Sequence, residues 1–325
     1  MRITITGGAG FLGLRLARRL LAERSDLERL RLADQVAPAE GSGDVVGDPR
    51  VEVDVGDLAD PGFVGRVVDD GDGLTVYHLA SVVSAGAEQD FDLGYAVNLQ
   101  GTLALLERCR ALSAGAPRPA RLVFASSLAT YGSGAGDPVT DHTAQRPETS
   151  YGVQKACCEL LVNDYHRKGF VEGWTLRLPT VVVRPGRPNL AASGFASGII
   201  REPLAGVDAV CPVDPETVMA VISPRRVIDA FARVLDLPSD ALGADRAVLL
   251  PGLPMRVSEA LAATRAEAGD RPLGRVTFEP DADIQRIVDS WPPSIRSDRA
   301  AALGMGGDSS VAAIVRQHID DEQEG

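Results

Sequence analysis

The sequence has few of the residues that disulfide frameworks and metal sites require. Its four cysteines are Cys109, Cys157, Cys158 and Cys211. Cys157 and Cys158 are adjacent within a predicted helix, so they cannot easily pair with each other. The four histidines are scattered along the chain, and no cysteine or histidine spacing matches a zinc motif. We therefore expect reduced, buried cysteines and no metal site.

Long apolar runs and an excess of basic residues are also absent. No run approaches the roughly 20 apolar residues that a membrane-spanning helix needs, and the first residues lead into a strand pattern rather than a signal peptide. The net charge of −12 disfavours nucleic acid and anionic membranes as partners. With 45% hydrophobic and 24% charged residues, the composition is that of a globular protein. We expect a cytoplasmic location.

Short β-rich runs alternate with amphipathic segments up to about residue 180. The predicted strands are residues 3–6, 30–33, 51–55, 75–79, 122–125 and 175–178. The longest predicted helices are residues 12–23, 90–112 and 152–167. Alternation at this spacing predicts an α/β fold, in which βαβ units form a doubly wound parallel sheet with helices on both faces.

The alternation weakens beyond residue 186, where proline-rich pieces separate shorter elements. We expect residues 1–180 to form a Rossmann domain. Residues 181–325 would form a smaller C-terminal substrate-binding cap, with some segments returning to the sheet. The long connection over residues 132–149 should border the active site, and the acidic tail at residues 320–325 should fray.

A glycine-rich turn follows the first predicted strand and opens the first predicted helix. It reads Thr6-Gly7-Gly8-Ala9-Gly10-Phe11-Leu12-Gly13. Gly7 permits the tight turn, Gly10 allows the backbone to approach a pyrophosphate, and Gly13 lets the helix pack close to the strand. Free N–H groups at the helix N-terminus then favour the phosphates. A lone glycine triplet is a weak signal, but its strand–turn–helix context predicts nucleotide binding.

Asp34 ends the second predicted strand, about 20 residues after the glycine motif. A carboxylate there accepts hydrogen bonds from the adenosine ribose hydroxyls and repels a 2′-phosphate. No arginine or lysine follows closely to hold such a phosphate. The sequence therefore favours NAD over NADP.

Three further residues form a candidate catalytic group. Ser127 ends the fifth predicted strand, and Tyr151 and Lys155 stand four residues apart, so they share one helix face. A nearby ammonium stabilises a phenolate and is expected to lower the tyrosine pKa, so that Tyr151 acts as general base. Alone, this tyrosine–lysine spacing occurs by chance in many helices. After the glycine motif and Ser127, it indicates an oxidoreductase.

These motifs together resemble the extended short-chain dehydrogenase/reductase family, which includes nucleotide-sugar epimerases and dehydratases. Further resemblances lie at His78-Leu79-Ala80-Ser81, Asp57-Leu58, the stretch from Val97 to Thr102, and Leu178-Pro179-Thr180-Val181. The family's asparagine that supports the catalytic lysine matches Asn98, which joins Ser127, Tyr151 and Lys155 as a candidate catalytic residue. His78 receives no chemical role. The motifs and the resemblance together assign to NAD the positions Gly7, Gly10, Phe11, Leu12, Gly13, Asp34, Asp57, Leu58, Leu79, Ala80, Ser81, Asn98, Tyr151, Lys155, Pro179, Thr180 and Val181.

Two departures from the family pattern narrow the choice of reaction and substrate. Leu128 and Ala129 stand where the dehydratases carry an Asp-Glu pair, and they cannot transfer protons. The stretch over residues 218–226 lacks the Arg-Asp-aromatic run with which sugar-nucleotide enzymes grip a diphosphate. Both departures favour a small substrate that is oxidised rather than dehydrated.

Longer segments resemble the branch of the family that acts on small sugar acids. They are residues 78–84, 91–102, 178–188, 191–204, 222–226 and 290–292. This resemblance implies oxidation of the C2 hydroxyl to a 2-keto acid. Substrate contacts are expected from Ser81, Ser127, Tyr151, Thr180 and Ser193. The candidates for binding the carboxylate are Arg184, Arg201, Arg225 and Arg226, and the sequence does not choose among them; Arg184 is carried forward as a candidate substrate residue.

Two other functions are compatible with the same motifs. The same residues would serve an NAD-dependent sugar epimerase, and a nonenzymatic NAD sensor could use the same fold, although such sensors commonly lose the tyrosine or lysine.

The resemblance also implies a homodimer formed through the helices over residues 90–112 and 152–167. Leucines 103, 105, 106, 160 and 161 and Val162 make these helices more apolar than one buried stripe requires.

Overall fold

A computed structural model describes residues 1–69, 72–186 and 192–324 of the chain. The strands, in chain order, are β1 (Arg2–Thr6), β2 (Arg29–Asp34), β3 (Val51–Val55), β4 (Leu74–His78), β5 (Arg121–Ser127), β6 (Val139–Thr140), β7 (Glu172–Leu178), β8 (Thr180–Val181), β9 (Ala209–Cys211), β10 (Val218–Ile222), β11 (Ala247–Leu249), β12 (Leu253–Arg256), β13 (Val276–Phe278) and β14 (Ile295–Arg296).

The helices are α1 (Phe11–Glu23), α2 (Gly43–Val46), α3 (Pro61–Val67), α4 (Ser84–Gln89), α5 (Phe91–Gly94), α6 (Gly101–Ser113), α7 (Ser150–Arg167), α8 (Gly194–Leu204), α9 (Pro224–Val234), α10 (Val257–Glu267), α11 (Ala282–Asp289), α12 (Asp298–Ala302) and α13 (Val311–Glu324). The helix predicted over residues 90–112 is divided, because a π-helix at Tyr95–Gln100 separates α5 from α6. No helix in the described part of the chain is long and apolar enough to cross a membrane.

Seven parallel strands form the central sheet, in the order β11-β7-β5-β4-β1-β2-β3. All six predicted strands belong to it, and the predicted doubly wound parallel sheet is confirmed. The seventh strand, β11, comes from residues far beyond the others and pairs with β7. The order in which the chain adds strands to the sheet reverses between β1 and β4. Sheets of this type bind their ligands at that point.

Helices cover both faces of the sheet because successive strand residues point to opposite faces. In β4, Tyr77 packs in the apolar cluster that contains residues of α1 and α9. Its neighbour Val76 packs in the cluster that contains residues of α3, α6 and α7. Strands buried on both faces are typical of parallel sheets, which explains the nearly continuous apolar runs of the sequence.

Other strands and helices form a smaller unit with its own apolar cluster. It contains the three-stranded sheet β12-β10-β8 and the pair β13-β9, together with helices α8, α10 and α13. Ile199, Ile200, Met219, Met255 and Ile314 are among its buried residues.

The four cysteines are unpaired thiols, as predicted. Cys109, Cys158 and Cys211 are buried, but Cys157 is only partly buried. The prediction of burial is therefore wrong for Cys157, because its side chain projects from α7 away from the buried face that carries Cys158.

The acidic tail belongs to α13, which extends to Glu324; Gly325 lies outside the described residues. Asp321 accepts hydrogen bonds from Arg15 of α1 at 2.6 Å and from the Nε of Arg225 of α9 at 2.8 Å. Burial raises the pKa of Asp321, but these bonds outweigh it and lower the pKa. The carboxylate thus anchors the last helix to two others.

Candidate active site

The glycine turn lies at the carboxyl end of β1, directly before α1. Gly7 has a φ of 71°, a left-handed conformation that favours glycine. A Cβ added at Gly13 would lie 2.3 Å from the carbonyl oxygen of Gly7, so only glycine allows α1 to approach the turn this closely. Gly10 forms the N-cap of α1 without any capping side chain. The first N–H groups of the helix are therefore left to a ligand, as a pyrophosphate site requires.

Asp34 lies at the end of β2, beside the glycine turn. Its carboxylate accepts hydrogen bonds from the backbone N–H of Ala9 at 3.0 Å and of Gln35 at 2.7 Å. These bonds fix the carboxylate at the edge of the cavity that would receive an adenosine. Asp57 and Leu58 line the same cavity.

Two adjoining cavities follow the carboxyl edge of the sheet and share the lining residues Gly7, Gly10, Leu79 and Ser81. The larger has a volume of about 340 Å³, within the range of small-molecule sites. Together they form an elongated groove. The residues predicted to contact NAD or substrate that line it are Gly7, Gly10, Phe11, Leu12, Gly13, Asp34, Asp57, Leu58, Leu79, Ala80, Ser81, Ser127, Tyr151, Lys155, Pro179, Thr180, Val181, Arg184 and Ser193.

Ser127, Tyr151 and Lys155 meet in the larger cavity. Ser127 ends β5 and accepts a hydrogen bond from the N–H of Ala129 at 3.1 Å. Tyr151 and Lys155 lie in the first turns of α7, whose N-cap, Thr149, accepts a hydrogen bond from Gly152. The ammonium of Lys155 donates to the carbonyl oxygen of Ala125 at 2.8 Å and lies 5.6 Å from the centre of the Tyr151 ring.

The pKa of Tyr151 differs from the sequence-based expectation. Burial raises it, although hydrogen bonds with Ser127 and Ser81 and the charge of Arg184 act in the opposite direction. Burial also lowers the pKa of Lys155 to about 8. The expectation that the pKa of Tyr151 is lowered is therefore wrong, since loss of solvation outweighs the neighbouring groups that act in the other direction.

Asn98 lies outside both cavities, within the π-helix. Its side-chain oxygen accepts from Ser81 at 2.9 Å and from the N–H of Val82 at 2.8 Å, and its amide donates to Gln154 at 2.7 Å. No hydrogen bond joins it to Lys155 among the described residues. Asn98 instead holds Ser81, which contacts Tyr151.

His78 is fully buried beneath this site. Its Nδ1 lies 2.7 Å from the hydroxyl of Thr6, and its Nε2 lies 2.9 Å from the hydroxyl of Thr102. Burial lowers the pKa of His78 to about 3, so the ring is neutral. It links β1, β4 and α6 and does not line the groove.

The structure separates the four candidate arginines. Arg184 lines the larger cavity, and its guanidinium donates to Ser193 at 2.9 Å. Arg201 donates to the carbonyl oxygen of Arg184 and to Glu202. Arg225 pairs with Asp321, and Arg226 lies 3.7 Å from Asp229. Only the first of the four lines the larger cavity.

Trp291 also lines the larger cavity, although it was not among the predicted site residues. It follows α11, far along the chain from the glycine motif and Tyr151, so no local spacing could have placed it there. The resemblance of residues 290–292 to sugar-acid enzymes was the available signal. Of the similar segments 178–188 and 191–204, residues 187, 188 and 191 lie outside the described residues.

Comparison with known proteins identifies the family. The sequence matches the NAD dependent epimerase/dehydratase family over residues 3–243. The chain belongs to this family. The expected resemblance to extended short-chain dehydrogenases/reductases is thereby confirmed, and NAD is the cofactor, in agreement with the position of Asp34.

Two curated members of this family are similar over nearly their whole length. A D-erythronate dehydrogenase of Cupriavidus necator is 48% identical, with 99% of this chain and 98% of that protein covered. A D-erythronate dehydrogenase of Haemophilus influenzae is 43% identical, with 98% and 99% covered. Among solved structures, a nucleoside-diphosphate-sugar epimerase of Agrobacterium tumefaciens is 38% identical with a TM-score of 0.89, and the match covers 100% of this chain and 95% of that one.

The Gly13→Ala variant tests the phosphate-binding turn. The added methyl group would collide with the Gly7 carbonyl and displace α1, so we expect the Kd for NAD to rise about tenfold or more. Isothermal titration calorimetry measures this, and circular dichroism checks the fold. Gly65→Ala is the matched control, because nothing lies within 4 Å of its added Cβ in α3. Unchanged NAD affinity in folded Gly13→Ala would contradict the assignment.

Proposed function

We propose that this protein is an NAD-dependent dehydrogenase that oxidises D-erythronate, or a closely related small sugar acid, at its C2 hydroxyl to the 2-keto acid. The observation that carries the proposal is the presence of Arg184 in the same cavity as Tyr151. A 2-hydroxy acid bears its hydroxyl on the carbon next to its carboxylate. A carboxylate on Arg184 therefore brings that hydroxyl toward the phenol, and the names of the two curated relatives agree with this substrate.

The proton chemistry falls to Tyr151, which we assign as general base. Ser127 lines the same cavity as Tyr151 and would orient the reacting oxygen of the substrate. Lys155, held against the Ala125 carbonyl, directs its ammonium toward the ring of Tyr151 and favours the phenolate. When bound, NAD supplies the acceptor for the hydride that leaves C2. Asn98 supports this arrangement through Ser81.

Other residues of the groove are assigned to binding. The glycine turn with Phe11 and Leu12 would hold the pyrophosphate, and Asp34 the adenosine ribose hydroxyls. Asp57 and Leu58 would contact the adenine, and Leu79, Ala80 and Ser81 would line the cofactor, with Ser81 also contacting the substrate beside Tyr151. Pro179-Thr180-Val181 would flank the nicotinamide. Thr180 and Ser193 would bind substrate hydroxyls. We accordingly assign residues 1–180 to NAD binding and residues 181–325 mainly to substrate binding, with β11 returning to the NAD-binding sheet.

The groove favours this reaction over nucleotide-sugar epimerisation. The arginines of the 218–226 stretch, Arg225 and Arg226, pair with Asp321 and Asp229 and do not line either cavity. A nucleotide substrate would thus lack a charged partner for its diphosphate there. The presence of both Tyr151 and Lys155 argues against a nonenzymatic NAD sensor.

Exposed leucines support a proposal for assembly, and the cysteines support one for location. Of the six apolar positions noted in the two helices, Leu105, Leu106 and Val162 are buried and Leu161 packs against the core, whereas Leu103 is 38% and Leu160 is 66% exposed. We propose that Leu103 and Leu160 contribute to a homodimer interface. Four unpaired cysteines also support a cytoplasmic location.

The reaction is tested by NADH formation with purified protein, NAD and a panel of four- to six-carbon aldonic and uronic acids. We expect the highest kcat/KM with D-erythronate. Tyr151→Phe should lower kcat about 100-fold or more, because the base is removed, and leave NAD affinity largely intact. Tyr165→Phe is the control in the same helix. Silence across the panel with intact NAD binding would favour epimerase chemistry, and near-normal kcat in Tyr151→Phe would show that the base is misassigned.

Replacing Arg184 tests the carboxylate contact. Arg184→Gln should raise KM for the sugar acid about tenfold to a hundredfold, since a charge-assisted contact is lost, while the Kd for NAD stays unchanged. Arg226→Gln serves as the control, because its guanidinium pairs with Asp229 outside the cavities. Equal KM values in Arg184→Gln and Arg226→Gln would remove Arg184 from the substrate site. Steady-state kinetics provides both constants.

Light scattering tests the dimer. Leu160→Lys places a charge on the proposed apolar contact and should shift the protein to the monomeric mass. Val210→Lys, which alters an exposed valine of β9 outside the two helices, should remain dimeric. A monomeric mass for the unchanged protein would rule out the interface.

A further inference from the structure

A buried ion pair lies behind the active site and has no part in the chemistry described above. Arg177 of β7 donates from Nε and Nη2 to one carboxylate oxygen of Glu159 in α7, at 2.9 and 2.7 Å. The side chains are only 9% and 3% exposed. Among the ion pairs of the described residues, this is the only one with both partners less than a tenth exposed. Such pairs contribute little net stability, so a geometric role has to be considered.

The pair gathers donors from several elements. Glu159 also accepts from the hydroxyl of Ser126 at the end of β5 and from the amide of Gln145 at 3.0 Å. Arg177 in turn donates to the hydroxyl of Tyr131 at 2.9 Å. Tyr131 and Gln145 belong to the connection between β5 and α7. One carboxylate and its arginine therefore join two strands, one helix and the segment that borders the site.

The same helix face carries the proposed catalytic groups. Tyr151, Lys155 and Glu159 follow one another at four-residue steps and so lie along one side of α7. Lys155 bonds the carbonyl of Ala125, and Glu159 bonds the side chain of Ser126. Two successive turns of the helix are thus fastened to two successive residues of β5. The next residue of that strand is Ser127.

We propose that Glu159 is a positioning residue. Its carboxylate, held by Arg177, fixes Ser127 relative to Tyr151 and Lys155 and anchors the 128–149 segment through Gln145 and Tyr131. The proposal rests on the functions proposed above for Ser127 and Tyr151. The positions of reacting groups have to be held closely, because a displacement of such a group by about 1 Å can lower the reaction rate about 100-fold.

The test compares Glu159→Gln with Glu172→Gln. Glu172 pairs with Arg121 at 2.8 Å across the same two strands, at their opposite ends and outside the cavities. Hydrogen–deuterium exchange measures the 128–149 segment, kinetics measures kcat, and calorimetry measures the Kd for NAD.

In Glu159→Gln we expect exchange in residues 128–149 to rise about tenfold. We also expect kcat to fall about tenfold to a hundredfold, with the NAD Kd within about twofold of the original. Glu172→Gln should leave all three unchanged. Normal exchange and kcat in Glu159→Gln overturn the proposal, as does a loss of NAD affinity that matches the loss of kcat.

Arg177→Lys keeps the positive charge but cannot bond Glu159 and Tyr131 together as the arginine fork does. If Glu159→Gln does not fold, this variant decides, and normal kcat and exchange in it overturn the proposal. Lack of NADH formation by the unchanged protein contradicts the proposed function. The exchange comparison needs no substrate and still decides whether Glu159 anchors the segment.

Discussion

The parallel direction of the central sheet is the constraint on which the site depends. Because all seven strands run the same way, their carboxyl ends meet at one edge. Residues that are distant in the chain therefore become neighbours there. The edge carries the glycine turn after β1, Asp34 at the end of β2, Ser81 after β4, Ser127 at the end of β5 and Thr180 after β7. The strand order reverses between β1 and β4, and this reversal opens the groove at the middle of the edge.

Burial dominates the electrostatics of this groove. It raises the pKa of Tyr151 and lowers the pKa values of Lys155 and Arg184, so each group is shifted toward its neutral form. An anion beside Arg184 would favour the charged guanidinium. The same loss of solvation that shifts these groups also strengthens every charge interaction between them.

Sequence alone predicted those features that depend on neighbouring residues. The glycine turn, Asp34 and the spacing of Tyr151 and Lys155 are local patterns, and the groove contains all of them. A return of later segments to the sheet was expected, but the sequence did not locate it at β11. Nor did it predict the position of Trp291 or the anchoring of the last helix by Asp321, because tertiary contacts determine these. The pKa of Tyr151 was wrongly expected to fall, since spacing reveals the neighbouring ammonium but not the burial. The choice of Arg184 among four arginines likewise required the three-dimensional positions.

The late return of β11 has a consequence for the modularity of the protein. The outermost strand beside β7 is supplied by residues 247–249, after the chain has already passed through β8, α8 and β10 of the smaller unit. A single cut therefore cannot separate the two units without leaving β7 as an open edge. Exchange of the smaller unit between homologues, by recombination or by design, would need at least three junctions, one after β7 and one on each side of the returning segment.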